Sequence, residues 1–246
     1  VLLKRVFVRA GQQLHRDRSL RQVSVASIAM EFCGRGGKRL RPRLCRAVFE
    51  SASCGASASA VDGLCEALEC FHKASLIHDD IQDCEEMRYG HPTVWKEHGV
   101  ALAIAAGDWL VARGYGLIAR QDPGDALAMI RETVRSHKAL CEGQGDDLEV
   151  SGLRTAPQGR SRDEYVSVCE RKTGEPFALA AALGAIAAGA DPAPYRRYGL
   201  DFGVLFQVRD DVADGEAPDC AEKIAGEFAS RLSESDVSKG LGSWYA

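Results

Sequence analysis

Apolar side chains recur three and four residues apart along almost the whole chain, and no convincing run alternates apolar with polar in the manner of a half-buried strand. This periodicity predicts helices over roughly 19–32, 40–53, 58–87, 94–120, 124–150, 162–189, 193–214 and 221–232. Glycine and proline punctuate between them, at Gly34-Arg35-Gly36-Gly37, Gly55, Gly90-His91-Pro92, Asp122-Pro123-Gly124, Ala156-Pro157 and Asp191-Pro192. Short connections between long helices predict an all-α bundle. No linker marks a second domain, so residues 1–246 are read as one.

Composition narrows the function classes. Hydrophobic residues make up 46% of the chain and charged ones 27%, with a net charge of -4. That balance gives no reason to expect a nucleic-acid partner. The longest apolar run, Phe177 to Ala190, is too short to span a bilayer and is broken by Gly184 and Gly189, so no stable membrane insertion is expected. Nine cysteines stand at 33, 45, 54, 65, 70, 84, 141, 169 and 220, without a C-x-x-C pair. An odd, scattered set predicts reduced thiols in a cytoplasmic protein, not a disulfide framework or zinc site. No signal-peptide pattern is read, and the start at Val1 instead of Met leaves room for a preceding segment.

Two acidic stretches interrupt the apolar pattern. Asp79-Asp80-Ile81-Gln82-Asp83 and Asp210-Asp211-Val212-Ala213-Asp214 both read D-D-x-x-D inside predicted helices. Positions one and five lie one turn apart on a helix face, and positions two and five are also neighbours. Each stretch therefore gathers three carboxylates whose repulsion costs a few tenths of a kcal/mol. Two such clusters call for a cation, and hard oxygen donors suit Mg²⁺ shared with phosphate oxygens.

Cations are spaced around these clusters. Gly34-Arg35-Gly36-Gly37-Lys38-Arg39-Leu40-Arg41 is no nucleotide P-loop, because Arg39 stands where Ser or Thr would bind Mg²⁺ and no strand precedes it. Lys38 and Arg41, three apart, would both face one anion at a helix start. His72 shares a helical stripe with Asp79 and Asp83. Arg88 follows the first motif, where it could favour the helix end or clamp a phosphate. In Arg171-Lys172-Thr173-Gly174-Glu175-Pro176 the proline frees a backbone carbonyl, and Lys172 in apolar surroundings needs an anionic partner. The two glycines of Gly143-Gln144-Gly145-Asp146-Asp147 are costly in a helix unless a close crossing or a kink is wanted.

Together these segments resemble the trans-isoprenyl (polyprenyl) diphosphate synthase family: GGKRLRP at 36–42, LECFHKASLIHDDIQD at 68–83, RYGHPTVW at 88–95, GQGDDL at 143–148, KTG at 172–174 and FQVRDDVAD at 206–214. The resemblance implies an isoprenoid synthase-type helical bundle around a central cavity, in a homodimer. It implies that Asp79, Asp80, Asp83, Asp210, Asp211 and Asp214 hold Mg²⁺, three ions in most of the family, against an allylic diphosphate. Arg88, Lys172, Thr173 and Gln207 would contact that diphosphate, and Asp79, Asp83, Arg88, Lys172 and Asp210 would carry the catalytic role. Lys38, Arg41 and His72 match the positions that bind isopentenyl diphosphate. The implied reaction is ionisation, condensation and elimination, giving a longer trans-polyprenyl diphosphate.

Two departures qualify the resemblance. The family carries R-R-G after its first motif, whereas here Tyr89 replaces the second arginine and brings no charge at neutral pH. Past the second motif the family continues with a lysine-containing loop and more helices. Here a terminal helix follows at once, so either the chain is shortened or residues are missing between Asp219 and Cys220. Tyr89 keeps open a terpene synthase on the same scaffold, against which the second motif lacks the N/D-D-x-x-S/T-x-x-x-E pattern. A non-catalytic partner subunit is the third reading, and six intact carboxylates argue against it. Ala74 and Ser75, five and four residues before Asp79, are expected to face the growing chain. The small Ala74 then predicts a product of at least twenty carbons, unless Trp109 or Tyr115 closes the tunnel first.

Overall fold

The computed structural model describes residues 24–53, 55–152, 161–241 and 244, with only the backbone for 149–152. At its centre lies a helix with no polar face. In α8, Glu175–Ala187, every residue from Phe177 to Ile186 is buried, as a helix apolar all round must be. Helices α2 (Leu40–Ala52), α6 (Pro123–Gly152) and α9 (Pro192–Asp214) pack around it. The two motif-bearing helices are α9 and α3 (Asp62–Gln82), the latter entered through a 3₁₀ turn at Ala58–Val61. The remaining helices are α1 (Val25–Gly34), α4 (Val94–His98), α5 (Val100–Ile118), α7 (Arg162–Cys169), α10 (Ala221–Glu234) and α11 (Asp236–Leu241).

Helix α3 is seated on α5 by two notches. A Cβ at Gly107 would overlap the His78 ring, and one at Gly114 would overlap the Phe71 ring. These contacts fix the rotation of α3 and hence the direction of its carboxylates. Helix starts follow local chemistry: Ser161 and Glu164 form a reciprocal capping box on α7, and the Asp191 side chain accepts from Ala193 N at the head of α9.

The all-α expectation holds, but three boundaries differ. The helix expected over 58–87 stops at Gln82, where Asp83 becomes its C-cap and Cys84 and Tyr89 adopt positive φ. A small hairpin of β1 (Met87–Arg88) and β2 (His91–Pro92) follows, turning on Gly90. Glu85 O anchors it, accepting from Thr93 Oγ1 at 2.9 Å and Trp95 Nε1 at 2.8 Å. The helix expected over 94–120 is broken at Gly99, whose φ of 85° no helix tolerates. Within 162–189 the chain makes a π-helical turn, Glu170–Gly174, just before Pro176. Residues 19–23 of the first expected helix, and Cys54, lie outside the described residues. The described cysteines are free thiols, and Cys45, Cys65, Cys70 and Cys169 are buried.

Candidate active site

Helices α2, α3, α6 and α9 and the π-helical turn enclose a cavity of about 740 Å³. Asp79 lines it from α3 and Asp210 from α9, so the first carboxylate of each motif faces the same space. The second carboxylates turn away. Asp80 has no exposed surface and accepts from Arg88 Nε at 2.5 Å; its Oδ2 has no partner. Asp211 accepts from Gln207 Nε2 at 2.6 Å and from the Tyr165 hydroxyl. Asp83 and Asp214, at the two helix ends, are exposed and do not line the cavity. Of the six carboxylates, two line the cavity, two lie exposed at the helix ends and two make supporting contacts.

Like charges crowd these ends. Desolvation, then Asp214 and Asp211, raise the Asp210 carboxyl above its ordinary pKa, and Lys38 partly offsets them. Desolvation and then Asp79 raise Asp83 in the same direction. Such crowding is relieved by a cation. Among the described residues no three His, Cys, Asp or Glu groups already form a metal cage. Mg²⁺ needs none, because it keeps waters and shares phosphate oxygens while taking one or two carboxylates. The donor set fits that ion.

The π-helical turn delivers a cation beside Asp79. Its wide backbone lets Lys172 reach Asp147 of α6 at 2.8 Å and Asp79 at 3.7 Å, which supplies the anionic partner that the sequence demanded. Burial works against the Lys172 ammonium, but the Asp147 hydrogen bond and the charges of Asp79, Asp147 and Asp83 hold its pKa above the ordinary value. Thr173 Oγ1 donates to Gln207 Oε1 at 2.6 Å, linking the turn to α9. This junction is tight, since a Cβ at Gly203 would lie 2.7 Å from the Gly174 Cα. Gly143 serves the same end on α6, where a Cβ would lie 2.7 Å from the Arg171 Cβ. Arg88, placed by the hairpin, reaches Asp79 Oδ2 at 3.9 Å while paired to Asp80.

A second group of cations faces the cavity from α2 and the loop before it. Lys38, Arg41, His72 and Tyr89 all line this wall. Burial pushes the Arg41 pKa down to about 10, and its guanidinium stacks 4.6 Å from the Phe177 ring centroid with Nε unpartnered. Burial, then the charges of Arg41, Lys73 and Arg88, push His72 well below the ordinary histidine range, so it is neutral at neutral pH. Below Ser75 the space continues into a small chamber bounded by Phe71, His137 and Leu179. Tyr115 closes ranks behind it, 5.4 Å from Phe71 between ring centroids and 3.1 Å from His137 Nδ1 through its hydroxyl. Trp109 lines a groove elsewhere on α5.

Several participants have no role assigned from the sequence, although Gln144 and Asp147 lie within the GQGDDL segment and Lys73 within LECFHKASLIHDDIQD. Gln144 donates to Asp79 Oδ1 at 3.2 Å and to Gln82 Oε1 at 3.0 Å. Tyr165 and Asp147 hold Asp211 and Lys172, and Lys73 is buried beneath the cationic loop. The sequence signal for Asp147 was the unpaired Lys172; Tyr165 offered none.

A sequence model described as Polyprenyl synthetase matches residues 22–227. The chain belongs to the polyprenyl synthetase family. A geranylgeranyl diphosphate synthase of Methanosarcina mazei is 31% identical over 210 residues, covering 83% of this chain and 61% of that protein. The chain spans between about half and three-fifths of the length of the curated relatives it matches, 52% to 61%. Among solved structures, an isoprenoid synthase family member from Thermotoga neapolitana superimposes with a TM-score of 0.76 at 25% identity, covering 98% of this chain and 95% of that one. A Helicobacter pylori geranyltransferase, solved with magnesium and isoprenyl diphosphate, shares the fold with a TM-score of 0.79 at 19% identity, over 97% and 93% of the two chains. The polyprenyl synthetase fold is therefore the frame in which the cavity is to be understood.

Proposed function

We propose that the chain is a prenyltransferase that condenses an allylic diphosphate with isopentenyl diphosphate, giving a trans-polyprenyl diphosphate of twenty carbons or more. One observation carries this reading: a single cavity is faced by carboxylates from two helices and by two separate groups of cations. Two diphosphates need two such groups. Lys172, Thr173, Gln207 and Arg88 serve the allylic diphosphate beside the carboxylates. Lys38, Arg41 and His72 serve isopentenyl diphosphate on the wall where α3 meets α2 and the loop before it. Asp79, Asp83, Asp210 and Asp214, supported by Asp80 and Asp211, would hold magnesium, three ions in this reading, which would supply Lewis-acid neutralisation of the leaving diphosphate.

The protein's own part is positioning and electrostatics. Lys172 and Arg88 stabilise negative charge as it develops on the leaving group, an effect strongest where water is excluded. Apolar walls from Leu76, Leu140, Leu148 and Phe206 keep water from the allylic cation until the isopentenyl double bond attacks it. The released diphosphate is the base for the final proton, and no side chain is assigned that role. The name of the Methanosarcina mazei relative supports a product of about this length.

The test is to incubate the protein with Mg²⁺ and an allylic diphosphate, with and without isopentenyl diphosphate. Diphosphate release only when both substrates are present is the expected result. Release with a hydrocarbon product in the absence of isopentenyl diphosphate would instead establish a terpene synthase, the reading that Tyr89 favours.

The same proposal includes a homodimer and a cytosolic setting, the latter in keeping with free thiols at every described cysteine. Val100, Leu102 and Ile104 of α5 and Leu127 and Val134 of α6 are exposed apolar residues. By length and composition α5 could also cross a bilayer, but Gly107 and Gly114 commit one of its faces to α3. The exposed face would bury more than about 2,000 Å² in an obligate dimer. Sedimentation at micromolar concentration should show a dimer, and a monomer there would refute it.

A further inference from the structure

Lys73 follows His72 on α3 and has no exposed surface at all. An ammonium in that position is expensive unless its donors are used. It donates to the Arg35 carbonyl oxygen and, at 3.0 Å, to that of Gly36. It also lies 4.6 Å from the centroid of the Tyr89 ring and 5.3 Å from that of Phe32. Those two carbonyls belong to the loop that leads into α2. The loop runs through positive φ at Gly36, Gly37 and Arg39, and no side chain caps the helix it enters. Its shape therefore depends on what grips it from below. Tyr89 closes it from above, since a Cβ at Gly36 would lie 2.8 Å from the Tyr89 Cγ.

We propose that Lys73 is the positioning residue of the isopentenyl diphosphate wall. It pins the backbone of Arg35 and Gly36 so that Lys38 and Arg41 face the cavity. It also places a positive charge directly behind Tyr89, whose phenol brings none. Gly37 separates this charge from the cavity by a single residue, its Cβ position being 3.6 Å from both Lys73 Nζ and the Tyr89 hydroxyl. The inference rests on assigning isopentenyl diphosphate to the Arg41 and His72 wall.

The split between two Michaelis constants tests it. Lys73→Met keeps the length of the side chain and removes its charge and donors. KM for isopentenyl diphosphate should rise about tenfold or more, with KM for the allylic diphosphate within about twofold of wild type. Lys73→Arg, which keeps the charge, should recover most of that loss. An equal rise in both constants, or a fall in kcat alone, would overturn the proposal. Should Lys73→Met melt below the assay temperature, Tyr89→Leu decides: it removes the half-exposed ring and should raise the same KM, and an unchanged KM would overturn the idea. Calorimetric titration with inorganic diphosphate in the absence of Mg²⁺ separates this from the proposed reaction. If the wild-type protein condenses nothing yet binds diphosphate about tenfold more tightly than Lys73→Met, the reaction is wrong and the role of Lys73 stands. Equal binding overturns that role.

Discussion

Asp79→Ala and Asp210→Ala should each lower kcat by on the order of a thousandfold or more while the protein still folds, the scale reached when one element of transition-state charge stabilisation is removed. Both carboxylates face the cavity, and the contacts of Asp79 with Gln144, Lys172 and Arg88 lie at the cavity wall, where Lys172 keeps Asp147 and Arg88 keeps Asp80 as partners. The Asp210 carboxyl is already raised by desolvation and by Asp214 and Asp211, so its removal relieves repulsion. Asp80→Ala provides the contrast. Its carboxylate is buried against Arg88, and removing one partner of a buried pair costs about 3–5 kcal/mol. The two first-position variants should therefore melt near wild type with turnover lowered by that factor, whereas Asp80→Ala should melt well below it. Near-normal kcat in Asp79→Ala or Asp210→Ala would sink the assignment of these helices to the diphosphate.

That contrast also shows where sequence reading reaches its limit. Helical spacing gathered the three carboxylates of each motif as one set, whereas in the structure only Asp79 and Asp210 line the cavity. Consecutive residues on a helix differ by about 100°, so a helix with its first carboxylate in the cavity must aim its neighbour elsewhere. Which way it aims depends on partners distant in sequence. For Asp80 that partner is Arg88, carried back by a hairpin of two-residue strands too short to leave a periodic signal. For Asp211 it is Tyr165, 46 positions away, on a helix with no recognisable motif.

The fold itself was legible because nearly every helix is amphipathic or, like α8, wholly apolar. What was not legible were departures from ideal helix that tertiary contacts enforce. The π-helical turn at Glu170–Gly174 has unremarkable local sequence apart from Pro176. It persists because Gly174 must meet Gly203 on one side while Lys172 meets Asp147 on the other. The partner demanded by Lys172 could be anticipated from the cost of burying its charge, but the identity of Asp147 could not. Lys73 carries no such signal, because the two carbonyls that it grips belong to Arg35 and Gly36, 38 and 37 positions away.

Product length should respond to Ser75 and not to Ala74. Spacing alone expected both to face the growing chain, but five positions before Asp79 is about 140° away around the helix, whereas four is within about 40°. Ala74 is instead buried in the apolar cluster where α1, α3 and α5 meet, while Ser75 borders both the main cavity and the chamber beneath it. Ala74→Phe should therefore overpack that cluster and cost about 3 kcal/mol, the upper end for an inserted side chain, seen as a drop in melting temperature. Ser75→Phe should fold normally and fill the passage between the carboxylates and Phe71, shortening the product by one or more five-carbon units. Phe71→Ala should act in reverse, because Phe71 floors the lower chamber ahead of Tyr115 and His137. Mass spectrometry of the products decides the matter. The floor lies elsewhere if Ser75→Phe turns over at the wild-type rate with an unchanged product, or if the wild-type protein stops at ten or fifteen carbons with Ser75 and Phe71 variants alike.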